Sequence, residues 1–169
     1  MKPGLIDMER LFVEIADFKI ARKQGILETL GLGSCVGVML YDPVSRIGGL
    51  AHIMLSDSAR FENQTSPNKF ADIGIRNMLR GMRQVGALKS RLTARIAGGA
   101  YMFESVAHHS NAMDIGARNV AAVKKVLSEE GIPLAAEDTG KSHGRSVEFH
   151  VETGKIFIRS EKYGVKELL

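Results

Sequence analysis

Apolar and polar residues along this chain change period several times, and each change predicts an element. Leu11, Val13 and Ile15 alternate with other residues at the period of a half-buried strand, and Phe18 and Ile20 read as a continuation of the same element. Gly25 separates it from Ile26-Leu27-Glu28-Thr29-Leu30, a short strand or loop that leads into a glycine turn. Val36 to Tyr41 and Ile47 to Leu55 are near-continuous apolar runs of strand length, with the turn signal Asp42-Pro43 between them. Together they predict a hairpin, which returns the chain and brings the His52 end back towards Cys35.

Ser56 to Asn68 is polar and predicts a long exposed loop. Ser66 followed by Pro67 reads as an N-cap with proline at the first helical position. Ala71, Ile75, Met78, Leu79, Met82 and Val85 then recur at helical spacing, with Arg76, Arg80 and Arg83 on the other face and Gly86 as the stop. Leu92 to Gly98 is strand-like and closes in Gly98-Gly99-Ala100. Asp114 can cap a second helix that turns Val120, Val123 and Leu127 inward and ends at Gly131. Ile132 to Ala136 predicts another strand, Asp138 to Arg145 a polar loop, and Val147 to Val151 with Lys155 to Arg159 a hairpin about Glu152-Thr153-Gly154. Strands, helix, strand, helix, strands is the order of an α+β layered domain rather than a doubly wound sheet, and no repeat or linker divides residues 1–169.

Composition narrows the function classes. Hydrophobic residues make up 44% and charged residues 25% of the 169, ordinary values for a globular protein. No apolar run reaches the roughly 20 residues of a membrane span. Met1 to Arg10 carries Asp7 and Glu9 and lacks an apolar signal core, which argues against secretion and for the cytoplasm. The net charge of +4 comes without a Lys/Arg block interleaved with aromatics and without Trp, so an acidic protein partner is favoured over nucleic acid.

A single cysteine cannot form an internal disulfide, which leaves the free thiol of Cys35 to be explained. A lone cysteine is commonly a small buried hydrophobe. Here it follows Gly31 and Gly33 at a turn where the backbone N–H groups near Ser34 and Cys35 can form an anion-binding nest. His52 sits in the strand expected beside it. A thiol beside an imidazole is the minimum for a thiolate nucleophile, and an imidazolium or nest lowers the thiol pKa. Such a histidine needs an acceptor on its other ring nitrogen; Thr29 is one candidate, and Asp42, Asp57 and Glu28 are rivals. His108-His109 and the pair His143 and His150 lack metal-ligand spacing, so no metal is expected. Gly98-Gly99-Ala100 and the 138–145 segment match no phosphate fingerprint and read as turns.

With these residues in view, the sequence resembles the chemoreceptor glutamine deamidases, the CheD family. The resemblance lies in Thr29-Leu30-Gly31-Leu32-Gly33-Ser34-Cys35-Val36, Tyr41-Asp42-Pro43 and Gly48-Gly49-Leu50-Ala51-His52-Ile53-Met54-Leu55. It continues in Lys69-Phe70-Ala71-Asp72, Gly98-Gly99-Ala100-Tyr101-Met102-Phe103, Ile115-Gly116-Ala117-Arg118-Asn119 and Gly144-Arg145-Ser146-Val147. It implies a protein-glutamine glutaminase that hydrolyses glutamine side chains on methyl-accepting chemotaxis receptors, releasing ammonia without a cofactor. The implied triad is Cys35 as nucleophile, His52 as base and acid, and Thr29 orienting the histidine, with backbone groups of Gly33 and Ser34 about the oxyanion. The implied fold is an α/β sandwich shared with bacterial toxin deamidases. Relatives also bind the phosphatase CheC, so an alternative role is a non-catalytic regulator of that partner. Two positions depart from the pattern: Ser56, where members often have proline, and Lys141, where many carry a second glycine.

Overall fold

A computed structural model describes residues 9–62, 65–102 and 114–169. Asp7, Phe103, His108 and His109 lie outside them. The strands are β1 (Arg10–Phe12), β2 (Phe18–Arg22), β3 (Ile26–Leu32), β4 (Val36–Asp42), β5 (Ile47–Ile53), β6 (Thr93–Gly98), β7 (Leu134–Thr139), β8 (Arg145–His150), β9 (Lys155–Ser160) and β10 (Gly164–Glu167). The helices are α1 (Ala71–Gln84) and α2 (Ile115–Glu129).

The strands form two mixed sheets, ordered β1-β3-β8-β9-β10 and β2-β5-β4-β6-β7. Leu27, Leu32, Val147 and Phe149 of the first sheet pack with Met39, Tyr41, Leu50 and Ala97 of the second. On its other face the second sheet carries Val36, Val38, Leu40, Ala51 and Ile53, which pack with Ile75, Met78 and Met82 of α1 and Val123 and Leu127 of α2. The result is the expected α+β layering: sheet, sheet, helices. β4 and β5 are covered on both sides and every residue in them is buried, which accounts for their unbroken apolar runs. Their register pairs Val36 with Ile53 and Gly37 with His52.

Several local expectations are corrected. The alternation from Leu11 to Ile20 is not one element: β1 pairs with β3 in the first sheet and β2 with β5 in the second. Between them Ala16 turns left-handed at φ 65°, and Asp17 Oδ1 accepts the Phe18 N–H, so the chain changes sheets. Ser66 and Pro67 take the N-cap and first positions of a separate 3-10 turn, Pro67–Lys69, not of α1; Ser66 has φ 54° and makes no side-chain capping bond, and α1 starts after Phe70. Val85, read as part of the apolar face, ends the helix and is exposed. The strand read at Ile132 to Ala136 lies two residues later, so Asp138 and Thr139 belong to β7 and Arg145 to β8, leaving 140–144 as the loop. β10 carries no apolar alternation and is exposed throughout, which left it invisible in the pattern.

The far end of the β4–β5 hairpin is pinned by one buried carboxylate. Asp42 accepts from the N–H groups of Val44, Ser45 and Leu88 and from Arg91, whose Nη2 lies 2.8 Å away. Burial opposes its charge, but Arg91 and these amides hold the carboxyl well below the usual carboxylate range. Asp42→Ala strands the Arg91 guanidinium beside a hole and is expected to cost about 3–5 kcal/mol. Thermal or denaturant unfolding reads this directly, and a loss under about 1 kcal/mol would contradict the assignment.

Candidate active site

Side chains on β5 alternate between the helix layer and the first sheet, and His52 shares the parity of Leu50, which faces the first sheet. Thr29 on β3 shares the parity of inward-facing Leu27. The two meet in the interior, with Thr29 Oγ1 2.8 Å from His52 Nδ1. Thr29 Oγ1 also donates to the Val13 carbonyl at 2.7 Å. A hydroxyl has one proton to give. Because it goes to Val13, Oγ1 must accept from His52, so Nδ1 carries the ring proton and Nε2 is the bare nitrogen. His52 Nε2 is buried and has no hydrogen-bond partner among the described residues.

Cys35 lies at the turn between β3 and β4, four residues after the left-handed Gly31 (φ 65°). Three carbonyls of this turn are tied down: Gly33 accepts from the Ala100 N–H, Ser34 from Asn119 Nδ2, and Cys35 from the Gly99 N–H. In a trans peptide the C=O and the following N–H point opposite ways. Fixing the Gly33 and Ser34 carbonyls therefore directs the Ser34 and Cys35 amides away from these anchors. Gly98 approaches so closely that a Cβ there would lie 2.2 Å from the Cys35 carbonyl oxygen, which is why glycine occupies that turn. Gly33 itself is not left-handed; it leaves room for the Met102 side chain.

The electrostatics differ from the expectation of a lowered thiol. Burial pushes Cys35 above the 9.0 of an ordinary thiol, against a smaller opposing contribution from its own backbone N–H. Burial also lowers His52 from 6.5 to about 4. At neutral pH the pair rests as a neutral thiol and a neutral imidazole. An open cleft of about 570 Å³ reaches the His52 side, lined by Phe12, Val13, Glu14, Ile15, Leu30 and His52. Phe12, Ile15 and Leu30 are each more than half exposed on its rim. Cys35 is partly exposed at the neighbouring turn.

The rival acceptors are engaged elsewhere. Asp42 binds Arg91 at the far end of the hairpin, Glu28 binds Arg10, and Asp57 accepts the Ala59 N–H. Sequence reasoning missed Asn119. Its Nδ2 donates to the Ser34 carbonyl at 3.0 Å and to the Met54 carbonyl at 2.9 Å, fastening the cysteine turn to the chain just beyond His52. The signal was a polar residue on the inward face of α2, one turn before Val123. The Val13 carbonyl and the apolar rim had no comparable signal, because they depend on the crossing between β1 and β2. Among the described residues no three His, Cys, Asp or Glu side chains gather as metal ligands, and no helix is long and apolar enough to cross a membrane.

The family model described as CheD chemotactic sensory transduction matches residues 54–160. A protein of Caldanaerobacter subterraneus subsp. tengcongensis, named probable chemoreceptor glutamine deamidase CheD, is 47% identical over 92% of this chain and 96% of its own. The chain belongs to the CheD family. Relatives of the same name from Moorella thermoacetica (47% identical, 93% of this chain and 94% of theirs) and Desulforamulus reducens (49%, 88% and 89%) span nearly the same length. Among solved structures, the Bacillus licheniformis hypothetical protein YfiH aligns with a TM-score of 0.39 at 16% identity, covering 69% of this chain and 46% of that one, too slight a likeness to carry an argument.

Two measurements check this CheD geometry. Asn119→Ala removes the donor from two carbonyls and is expected to cost about 1–3 kcal/mol of stability; an unchanged unfolding free energy would dissolve the clamp. For His52 the native pKa lies below the unfolded value, so the unfolded state binds the extra proton between about pH 4 and 6.5. Stability is whole above 6.5 and falls as the pH drops towards 4, by roughly 3 kcal/mol in all. His52→Gln is expected to flatten this slope, and an identical slope in both proteins would mean that the ring is not held neutral.

Proposed function

We propose that this CheD protein hydrolyses glutamine side chains of chemoreceptors to glutamate, with Cys35 as nucleophile, His52 as proton carrier and Thr29 as the residue that positions the ring. The names of its relatives support the reaction class. The observation that supports the residue roles is the Thr29 hydroxyl, which leaves His52 Nε2 as the unprotonated ring nitrogen, buried and without a partner among the described residues.

The chemistry follows from a neutral resting pair. Sγ attacks the side-chain carboxamide carbon as its proton passes to Nε2, so the thiolate forms only with substrate in place. The oxyanion is met by the Ser34 and Cys35 amides, donors of a kind often worth about 3–4 kcal/mol each. Protonated His52 then gives its proton to the departing nitrogen, releasing ammonia and leaving a thioester. Water attacks the thioester, Nε2 takes its proton, and return of that proton to sulfur frees glutamate and restores the thiol. Every proton balances through one ring nitrogen, and the scheme uses no metal. Partnership with the phosphatase CheC rests on the resemblance and is part of the same proposal.

Intact-mass analysis of a receptor cytoplasmic fragment follows each conversion as a gain of one dalton. Cys35→Ala is expected to abolish it with the fold intact, and residual turnover by that variant would remove the proposal. Thr29→Val is expected to lower kcat by about tenfold or more, whereas Thr29→Ser retains most activity. Equal rates for both Thr29 variants would strip the hydroxyl of its role. Because His52 titrates near 4, the acid limb of kcat/KM is expected near pH 4 rather than 6.5. Iodoacetamide is expected to modify Cys35 slowly at pH 7 and faster above pH 9, since the thiol is raised.

A further inference from the structure

A second cleft, of about 490 Å³, adjoins the cysteine turn at Gly31. Its wall includes His143, Arg145, Arg159 and Lys162, with Glu161 as the acidic member. These residues come from the 140–144 loop, β8, β9 and the turn that follows β9. Tyr163 is the hub: the Lys141 and Lys162 ammonium groups lie 5.3 and 5.4 Å from its ring centre, and the His143 ring packs edge-on at 4.8 Å. Beneath them Arg145 is fully buried, bound to Asp138 at 3.2 Å and to the Gly140 and His143 carbonyls, while its Nε has no partner among the described residues. Lys166 is spent on Asp138, but Lys141, Lys162 and Arg159 are exposed.

The cationic cluster is wired to the site by backbone. The Lys141 carbonyl accepts the Tyr101 N–H, the preceding residue's N–H (Ala100) binds the Gly33 carbonyl, and that of Gly99 binds the Cys35 carbonyl. Lys141 holds φ 58°, a left-handed conformation that non-glycine residues seldom adopt. Lys141 lines the adjoining cavity with His143 and Tyr163, and its ammonium group sits over the Tyr163 ring beside Lys162. The potential is felt by His143, whose pKa is lowered first by burial and then by Arg145, Lys141 and Lys162, with Asp138 opposing.

We propose that this cleft binds glutamate side chains of the protein substrate that flank the glutamine being converted. The proposal rests on the deamidase reading and deepens it: the product of each turnover is a carboxylate, so sites already converted become ligands that promote conversion of the next. Gly31 is four residues from Cys35, so the cleft begins within about 14 Å of the sulfur-bearing residue. In a helical substrate that corresponds to glutamates within about nine residues of the target.

The test uses two peptides that each carry one target glutamine, one flanked by glutamates within that distance and the other by residues locked as alanine. The glutamate peptide is expected to bind at least about fivefold tighter at low salt, an advantage that fades at high salt. Its binding is expected to raise the pKa of His143 read from the ring resonances. The double variant Lys141→Gly with Lys162→Ala removes two charges and, at position 141, the backbone strain, so it is expected to fold normally. It is expected to lose the preference through KM with kcat unchanged. Equal affinity for the two peptides, or a preference that survives in the double variant, overturns the cleft. So does tighter binding of inorganic phosphate than of the glutamate peptide. A preference with no ammonia from either peptide would sink the deamidase reading while the cleft stood, and ammonia without preference would do the reverse.

Discussion

A hydroxyl carries one proton, and at Thr29 that proton is committed to the Val13 carbonyl, so the histidine beside it must donate through Nδ1. This bond crosses from one sheet to the other and sets the tautomer of His52. It requires β3 and β5 to lie face to face, Val13 to be carried in from the end of β1, and the ring to be buried between the sheets. The two sheets are thus more than a scaffold. Their packing distance defines where the bare nitrogen sits, and the proposed reaction depends on that nitrogen.

Burial then decides how the pair rests. A ring and a thiol that both lose water are each pushed towards the neutral form, the imidazole down and the thiol up. Sequence reasoning anticipated a lowered thiol from the glycine turn and the neighbouring histidine. It could not weigh the desolvation that comes from closing two sheets over the same place. The same layering explains why β4 and β5 were easy to read: strands covered on both faces have no polar period to obscure them.

What the sequence made legible follows its local signals. Asp114 caps α2 as its position suggested, and His52 and the cysteine turn were candidates from residue types and spacing, whereas Thr29 stood among rival acceptors that only the contact in space separates. The losses came where tertiary structure overrides a local pattern. The alternation through Leu11 and Ile20 ignores a left-handed Ala16 that sends the chain to the other sheet. Ser66 and Pro67 have the composition of a helix start, yet the backbone there forms a separate turn. Asn119 looked like one more residue of a helix, and only its neighbours in space reveal that it clamps Ser34 to Met54. Arg145 looked like part of a polar loop and is among the most buried side chains.

The protonated resting state of Cys35 has a consequence beyond the proposed reaction. Peroxides and disulfides react with the sulfur anion, and a thiol held above its ordinary pKa offers little of it at neutral pH. The partial burial that raises the Cys35 thiol therefore also shelters it from oxidative damage, a safeguard written into packing rather than into any dedicated partner residue.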